Sequence, residues 1–189
     1  MKDYGLVSVI MPTYNAQTFI ADAIQSVTCQ TYLNWELLIV DDASTDATIE
    51  VIYTFSNDKI KVSSLQRNQG THICRNKGIQ DASGKFIAFL DADDIWKPEK
   101  LQKQLEFMDR YSLASCFSSY ELIDEHGPKL HKKIEALPSL NFQKLLKANY
   151  VGNLTGIYSV EKIGKIHAPF LRKRQDWGLW LEVIKKADL

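Results

Sequence analysis

The segment Glu36-Leu37-Leu38-Ile39-Val40 runs directly into Asp41-Asp42, and it constrains the fold more than any other stretch of the chain. Its apolar run lacks polar alternation, so a strand here is covered on both faces. Val7 to Met11 and Lys85 to Leu90 read as further strands, and Ile60 to Leu65 as a weaker one. Helical spacing fills the gaps. Phe19 to Gln30 places Phe19, Ile20, Ala23, Ile24 and Val27 on one face, and Ser44 or Thr45 is placed to cap a helix carrying Ile49, Ile52 and Tyr53. Gly70 to Ala82 reads as helix, and Pro98 suits the opening of another. Alternation of this kind predicts right-handed crossovers and a mainly parallel α/β sheet with helices on both faces.

Ligands of such sheets bind beyond the carboxyl ends of the strands. Three polar clusters fall there: Pro12-Thr13-Tyr14-Asn15, Asp41-Asp42 and Asp91-Ala92-Asp93-Asp94. The last is costly, because three carboxylates in four residues repel and desolvation at a strand end sharpens the repulsion. A hard divalent cation, Mn²⁺ or Mg²⁺, would remove the penalty. A solvated turn that caps the next helix is the other account of the same residues. Convergence of three clusters on one rim favours the cation.

From Ser112 onward the pattern loosens. Cys116 to Ile123 reads as a strand, Asp124 to Pro128 as a turn, and Phe142 to Ala148 as a short helix. A smaller, irregular lobe facing a second substrate is expected. Asp176 to Lys186 reads as a helix with Leu179, Leu181, Val183 and Ile184 apolar, and the chain stops just after it. A chain truncated at its C-terminus is therefore expected.

Composition excludes several classes. The 189 residues suit one domain, and 23 Lys and Arg balance 23 Asp and Glu, so no global field draws the chain to nucleic acid or acidic lipid. Cys29, Cys74 and Cys116 form an odd set without Cys-x-x-Cys spacing, which argues against a disulfide framework or zinc site and for a reducing compartment. Neither a signal-peptide pattern nor an apolar run of the roughly 20 residues that span a bilayer is present. The cytoplasm is the expected address. His72, His126, His131 and His167 lack ligand spacing and read as surface or loop residues, and Lys129 to Lys133 reads as a solvated hairpin.

Several motifs carry a family resemblance. Val7 to Asn15, Leu38 to Asp46, Asn68-x-Gly70 with Arg75-Asn76-x-Gly78, Asp91-x-Asp93-Asp94, and Gln175-Asp176-Trp177-Gly178-Leu179-Trp180-Leu181 follow one another in the order found in family 2 glycosyltransferases with the GT-A fold. The chain resembles that family from its N-terminus to about Leu105 and again at Gln175 to Leu181. The last motif is similar to bacterial enzymes that build capsule, O-antigen and teichuronic-acid polymers. The resemblance implies one domain over 1–189, with 1–111 binding a nucleotide sugar and 112–189 on the acceptor side. It implies an inverting transfer from a nucleotide-diphosphate sugar, by kinship a UDP-sugar, to a hydroxyl of a saccharide or lipid-linked saccharide. No nucleic-acid partner is expected, and peripheral attachment at the inner face of the plasma membrane accompanies the cytoplasmic address.

Site roles follow from the same resemblance. Asp93 would ligate Mn²⁺ or Mg²⁺, with diphosphate oxygens and waters completing the shell, and a divalent cation neutralises the departing diphosphate. Asp91 and Ala92 would lie toward the ribose and donor sugar, and Asp94 either supports these carboxylates or caps a helix. Tyr14 would pack on the base between Pro12, Thr13 and Asn15, although Pro-Thr-Tyr-Asn also makes a plain turn. Asp42 would accept from a base ring nitrogen, and Asp41 could instead cap the following loop. Arg75 would reach the diphosphate through its fork, or else form a surface salt bridge; Asn68 and Gly70 would shape the approach to its helix. Asp176 would be the general base for the acceptor hydroxyl, or else a helix cap, with Trp177 and Trp180 partly burying it. Trp177 could stack on an acceptor sugar, whereas Trp180 suits the core. Glu182 departs from the pattern, since relatives often carry a basic residue there.

Rival readings account for less. A receiver domain shares the Asp41-Asp42 and Asp91 strand ends, but it begins at the double-aspartate strand, whereas this chain has a full strand and helix before it, and no suitably placed Lys-Pro ends a later strand. A dinucleotide-dependent oxidoreductase would need Gly-x-Gly-x-x-Gly after the first strand, and a nucleotidyltransferase a Gly-rich basic loop; Pro12 to Gln17 is neither. A catalytically idle sugar-nucleotide-binding module is the remaining alternative, and retention of Asp91, Asp93 and Asp176 argues against it.

Overall fold

The computed structural model describes residues 2–55, 57–124, 129–171 and 173–187, and these build one six-stranded sheet flanked by helices. β1 (Val7–Thr13), β2 (Trp35–Asp41), β3 (Ile60–Ser64) and β4 (Phe86–Phe89) run parallel in the spatial order β3-β2-β1-β4. Beyond β4 the sheet continues with antiparallel β8 (Ile157–Ser159) and then β5 (Ser115–Cys116). A two-stranded hairpin of β6 (Tyr120–Ile123) and β7 (Lys129–Ile134) stands apart. The mainly parallel α/β architecture is the one expected from the sequence.

Every residue of β1 and β2 is buried, which is why both read as apolar on each face. Alternate side chains serve opposite cores. Val7, Val9, Met11, Leu37 and Ile39 pack with α1 (Ile20–Thr28), α2 (Thr48–Tyr53) and α4 (Lys100–Arg110). Ile10, Leu38, Ile87 and Phe89 pack with α3 (Thr71–Asp81) and α7 (Gln175–Ala187). On that second face Trp180 is fully buried and meets Phe89 and Tyr158 edge-on, with ring centroids 6.0 and 6.4 Å away. A Cβ at Gly156 would fall 2.1 Å from its ring, so only glycine lets the start of β8 pass beneath it.

Local corrections have identifiable causes. Ser44 does not cap α2, because its hydroxyl is taken by Asp41; instead Asp46 accepts the Thr48 N–H at 3.0 Å. Thr45 donates its N–H to Asn15 and is likewise unavailable. The run from Cys116 to Ile123 is broken, because β5 pairs only with Tyr158 and Ile157 and its partner then ends at Gly156, leaving no ladder for Phe117. α5 (Phe142–Leu145) stops short of Ala148. α4 opens two residues after Pro98, where Gln30 Oε1 accepts the Leu101 N–H at 3.0 Å. Of the expected turn at 124–128, residues 125–128 lie outside the described residues. α6 (Val160–Ile163) follows β8 directly and was not expected.

A buried polar group pins the opposite end of the sheet. Glu36, at the start of β2 and 4% exposed, accepts from Ser8 Oγ at 2.6 Å, Lys61 Nζ at 2.7 Å and the Ser83 N–H at 2.8 Å. Gly84 donates its N–H to the same Ser8 hydroxyl, so all four parallel strands or their approaches are tied together. Burial alone would raise the Glu36 pKa, but the bonds from Lys61, Ser8 and Ser83 outweigh it and hold the carboxyl below its usual range. With a folded pKa depressed below the unfolded one, the stabilisation is present above the unfolded value and is lost as pH falls through the folded one. Glu36→Gln should therefore lower Tm clearly at about pH 7, and by progressively less as pH falls through the folded pKa of the wild-type carboxyl. An equal shift at every pH in thermal melts would contradict this account.

Candidate active site

Parallel β1, β2 and β4 end at one rim, so the segments after Thr13, Asp41 and Phe89 gather beside the first turn of α3. They enclose a cavity of about 470 Å³, within the range of small-molecule sites. Pro12 to Asn15, Asp42, Arg75 and Asp91 to Asp93 all line it. Ala16, Phe19, Thr71 and Cys74 complete the wall; these four belong to helices or their approaches, and no motif signalled them. Burial, with Asp42 beside it, pushes the Cys74 thiol up to about 12, which leaves it protonated and inert.

The two acids after β2 divide their work. Asp41 accepts both the N–H and the hydroxyl of Ser44 and so caps the loop. Asp42 faces the cavity while each of its oxygens takes one backbone N–H, from Gln69 at 2.7 Å and Gly70 at 2.8 Å. Gly70 sits at φ +95°, a conformation that explains the glycine after Asn68. Each Asp42 oxygen keeps a lone pair for a donor in the cavity. Asn15, in the left-handed region at φ 48°, uses its side chain as a brace, accepting the Thr45 N–H at 2.8 Å. Tyr14 remains about half exposed at the mouth.

Arg75 is not on the surface. It is buried, and its Nη2 donates to Asp91 Oδ1 at 2.7 Å. Asn153, from a 3-10 turn at 153–155, adds its Nδ2 at 3.4 Å from both Asp91 oxygens. Nothing in the irregular stretch around Asn153 signalled it. Thr13 Oγ1, Arg75 Nε and Asn153 Oδ1 are buried without a partner among the described residues, a cost of about 1–3 kcal/mol each that a bound polar ligand would offset.

Burial, with Asp91 and Asp93 beside it, pushes the Asp94 carboxyl up to about 7. Arg75 answers Asp91 alone. Asp93 is exposed at the cavity wall and offers a hard oxygen ligand, so the residues present fit a divalent cation shared with an anionic ligand. Among the described residues no cluster of three His, Cys, Asp or Glu side chains could hold a metal ion by itself.

Asp176 stands in the first turn of α7, outside the residues that line the cavity, and accepts from Asn149 Nδ2 at 3.0 Å. The connection between the two regions is α3. Its Asn76 side chain pairs with the backbone of Ala168, donating to the carbonyl at 3.0 Å and accepting the N–H at 2.7 Å. His72 is buried under Phe170, ring centroids 5.0 Å apart, and lies 3.4 Å from Gln175 Nε2; the expectation of a surface residue fails because a segment nearly a hundred residues away covers it. Trp180 is core, as expected. Trp177 is half-buried, donates its Nε1–H to the Leu145 carbonyl at 2.7 Å and carries Arg174 over its ring at 5.2 Å.

A parallel α/β sheet with acids, an arginine and an aromatic face at its carboxyl rim places its polar groups where open α/β sheets bind ligands. The model of glycosyl transferase family 2 matches residues 8–165, and the chain belongs to that family. It is a glycosyltransferase with the GT-A fold. It is 43% identical over 184 residues, 96% of its length, to TuaG of Bacillus subtilis, a protein named for teichuronic acid biosynthesis, of which it spans 73%. It is 40% identical over its full length to Escherichia coli WfgD, named as a UDP-Glc:alpha-D-GlcNAc-diphosphoundecaprenol beta-1,3-glucosyltransferase, again spanning 73%. Staphylococcus aureus TarS 1-349 in complex with UDP-GlcNAc superposes at a TM-score of 0.80 and 27% identity, over 96% of this chain and 54% of that one. The chain thus spans about half the length of the solved TarS fragment. The Pyrobaculum calidifontis mannosyltransferase PcManGT, solved with GDP-Man and Mn²⁺, shares the fold at a TM-score of 0.69 and 16% identity, over 94% of this chain and 51% of that one.

The Asn76 clamp is testable. Asn76→Ala removes both bonds to Ala168 and should destabilise the protein by about 1–3 kcal/mol. Amide exchange across 165–171 should speed up more than in β1 and β2. An unchanged exchange pattern there would show that other contacts hold the segment.

Proposed function

We propose that the chain transfers a sugar, with inversion, from a UDP-sugar to a hydroxyl of a saccharide or lipid-linked saccharide acceptor during assembly of a bacterial surface polysaccharide. The observation that carries this reading is one cavity lined by Tyr14, Asp42, Arg75, Asp91 and Asp93, with unpartnered polar atoms at Thr13 and Arg75. UDP-GlcNAc in TarS and UDP-Glc in the name of WfgD support the choice of base. Residues 1–111 would then serve the donor and 112–189 the acceptor. Peripheral attachment at the inner face of the plasma membrane belongs to the same reading; among the described residues no helix is long and apolar enough to cross a membrane.

In this reading the base packs on Tyr14, and a lone pair of Asp42 accepts its ring N–H. Arg75, steadied by Asp91, turns its remaining N–H groups toward the diphosphate, while Asp91 and Ala92 border the ribose and donor sugar. Asp93 would hold Mn²⁺ or Mg²⁺, whose chemistry there is to neutralise charge on the leaving diphosphate. Asp176 takes the proton of the acceptor hydroxyl as that oxygen attacks the anomeric carbon from the face opposite the leaving group. A single in-line displacement inverts the centre, so an α-linked donor gives a β-linked product. The beta linkage in the name of WfgD agrees with that outcome.

Two substitutions separate the halves of the proposal. Asp93→Ala should weaken UDP binding in Mn²⁺ by at least about tenfold, some 1.4 kcal/mol, in calorimetry. Wild-type affinity that is the same in Mn²⁺ and in chelator would remove Asp93 from the role. Asp176→Asn should keep UDP affinity and cut turnover by about 10²–10⁴-fold, and unchanged turnover would sink the base assignment.

A further inference from the structure

The chain as a whole is neutral, but its charge is unevenly placed. Between Ala136 and Gln175 it carries seven lysines and arginines and a single acid, Glu161. This segment leads into α7 and supplies Asn149, which donates to Asp176, whereas the cavity rim is acidic. The same segment also exposes large apolar side chains. Phe170 is 86% exposed, Leu146 47% and Leu171 44%. The two stretches that carry them meet at one indole, since Trp177 donates to the Leu145 carbonyl while Arg174 lies over its ring, and Leu171 approaches Gly178 one residue further along. Lys144, Lys147 and Lys173 are exposed among these apolar groups.

We propose that Leu146, Phe170 and Leu171, with Lys144, Lys147 and Lys173, form a surface that docks on the anionic face of a lipid bilayer. Apolar side chains entering the interface beside lysines that reach headgroup phosphates are the two features of an interfacial anchor. Basic residues near an anionic membrane each strengthen binding about fivefold, so a local excess acts although the net charge is zero. The position of the patch gives it a use. Its residues stand before Asp176 in α7 and beside Asn149, which donates to Asp176, and none of them lines the donor cavity. The inference rests on the reading of Asp176 as the acceptor-side residue, since that is what makes a lipid-facing patch there serve transfer.

Cosedimentation of the chain with vesicles tests it. Vesicles of phosphatidylcholine with about one-third phosphatidylglycerol should bind the chain at low salt, release most of it at about 0.5 M NaCl, and exceed pure phosphatidylcholine by more than about tenfold. Lys147→Ala with Lys173→Ala should weaken binding about 25-fold, at about fivefold per charge. Phe170→Ser should weaken it independently of salt. Thermal stabilisation by UDP with Mn²⁺ should be the same in all three proteins, which shows them folded and separates loss of docking from failure of the donor site. Equal binding to neutral and anionic vesicles, no binding to either, or self-association of the wild type abolished by Phe170→Ser with no vesicle binding would each overturn the proposal. Failure of Asp176→Asn to slow transfer, with vesicle binding intact, would overturn only the catalytic reading beneath it.

Discussion

The ion pair of buried Arg75 with partly exposed Asp91 is the contact on which the site depends. A guanidinium with 6% exposure needs a carboxylate partner, because removing Asp91 leaves an uncompensated buried charge at a cost of about 3–5 kcal/mol. Asp91 needs the guanidinium in turn, since two further carboxylates follow within three residues. One bond of 2.7 Å therefore joins the middle of α3 to the end of β4 and sets one wall of the cavity. Asn153 closes on the same carboxylate and brings in the turn that leads through Gly156 to β8. Arg75, β4 and the antiparallel edge of the sheet consequently move as one unit around Asp91.

α3 extends that unit toward the acceptor side. Arg75 points into the cavity, and the next residue, Asn76, grips the backbone of Ala168; one turn earlier His72 lies beneath Phe170 and against Gln175. A shift of α3 that loosens the diphosphate end of the site would also displace the segment before Asp176. Coupling of donor and acceptor elements through one helix suits a two-substrate reaction, in which geometry between the substrates decides whether a bound pair is reactive.

What the sequence disclosed follows a physical division. Strands buried on both faces announce themselves, because most positions are apolar on either face; Leu37 to Val40 is the clearest case. Acids at strand ends announce themselves too, because their cost demands an explanation. Roles that depend on distant partners do not. Asp41 and Asp42 look alike in the chain, and only Ser44 on one side and the Gln69-Gly70 backbone on the other tell them apart. His72 was misjudged because its cover comes from Phe170 and Gln175. Asn153, Phe19 and Thr71 gave no signal, since an uncharged side chain in an irregular stretch or on a helix carries no spacing that marks it as part of a site.

The acid cluster also bears on which ligands the cavity admits. A diphosphate entering alone would meet Asp91 and Asp93 at the cavity wall, with one buried guanidinium already committed to Asp91. Burial, with Asp91 and Asp93 beside it, raises the Asp94 pKa, so further negative charge nearby is unfavourable from the protein's side as well. A cation resolves both, because it gives Asp93 a partner and cancels charge on the ligand in one step. On the proposed reading, free phosphates and uncomplexed nucleotides would be disfavoured by repulsion, and the carboxylates would select by exclusion as well as by binding. The orphaned atoms of Thr13 and Arg75 add a second filter, as they reward only a ligand that carries polar groups deep into the cavity. Cost at Asp91 to Asp94 would thus be part of how the site discriminates.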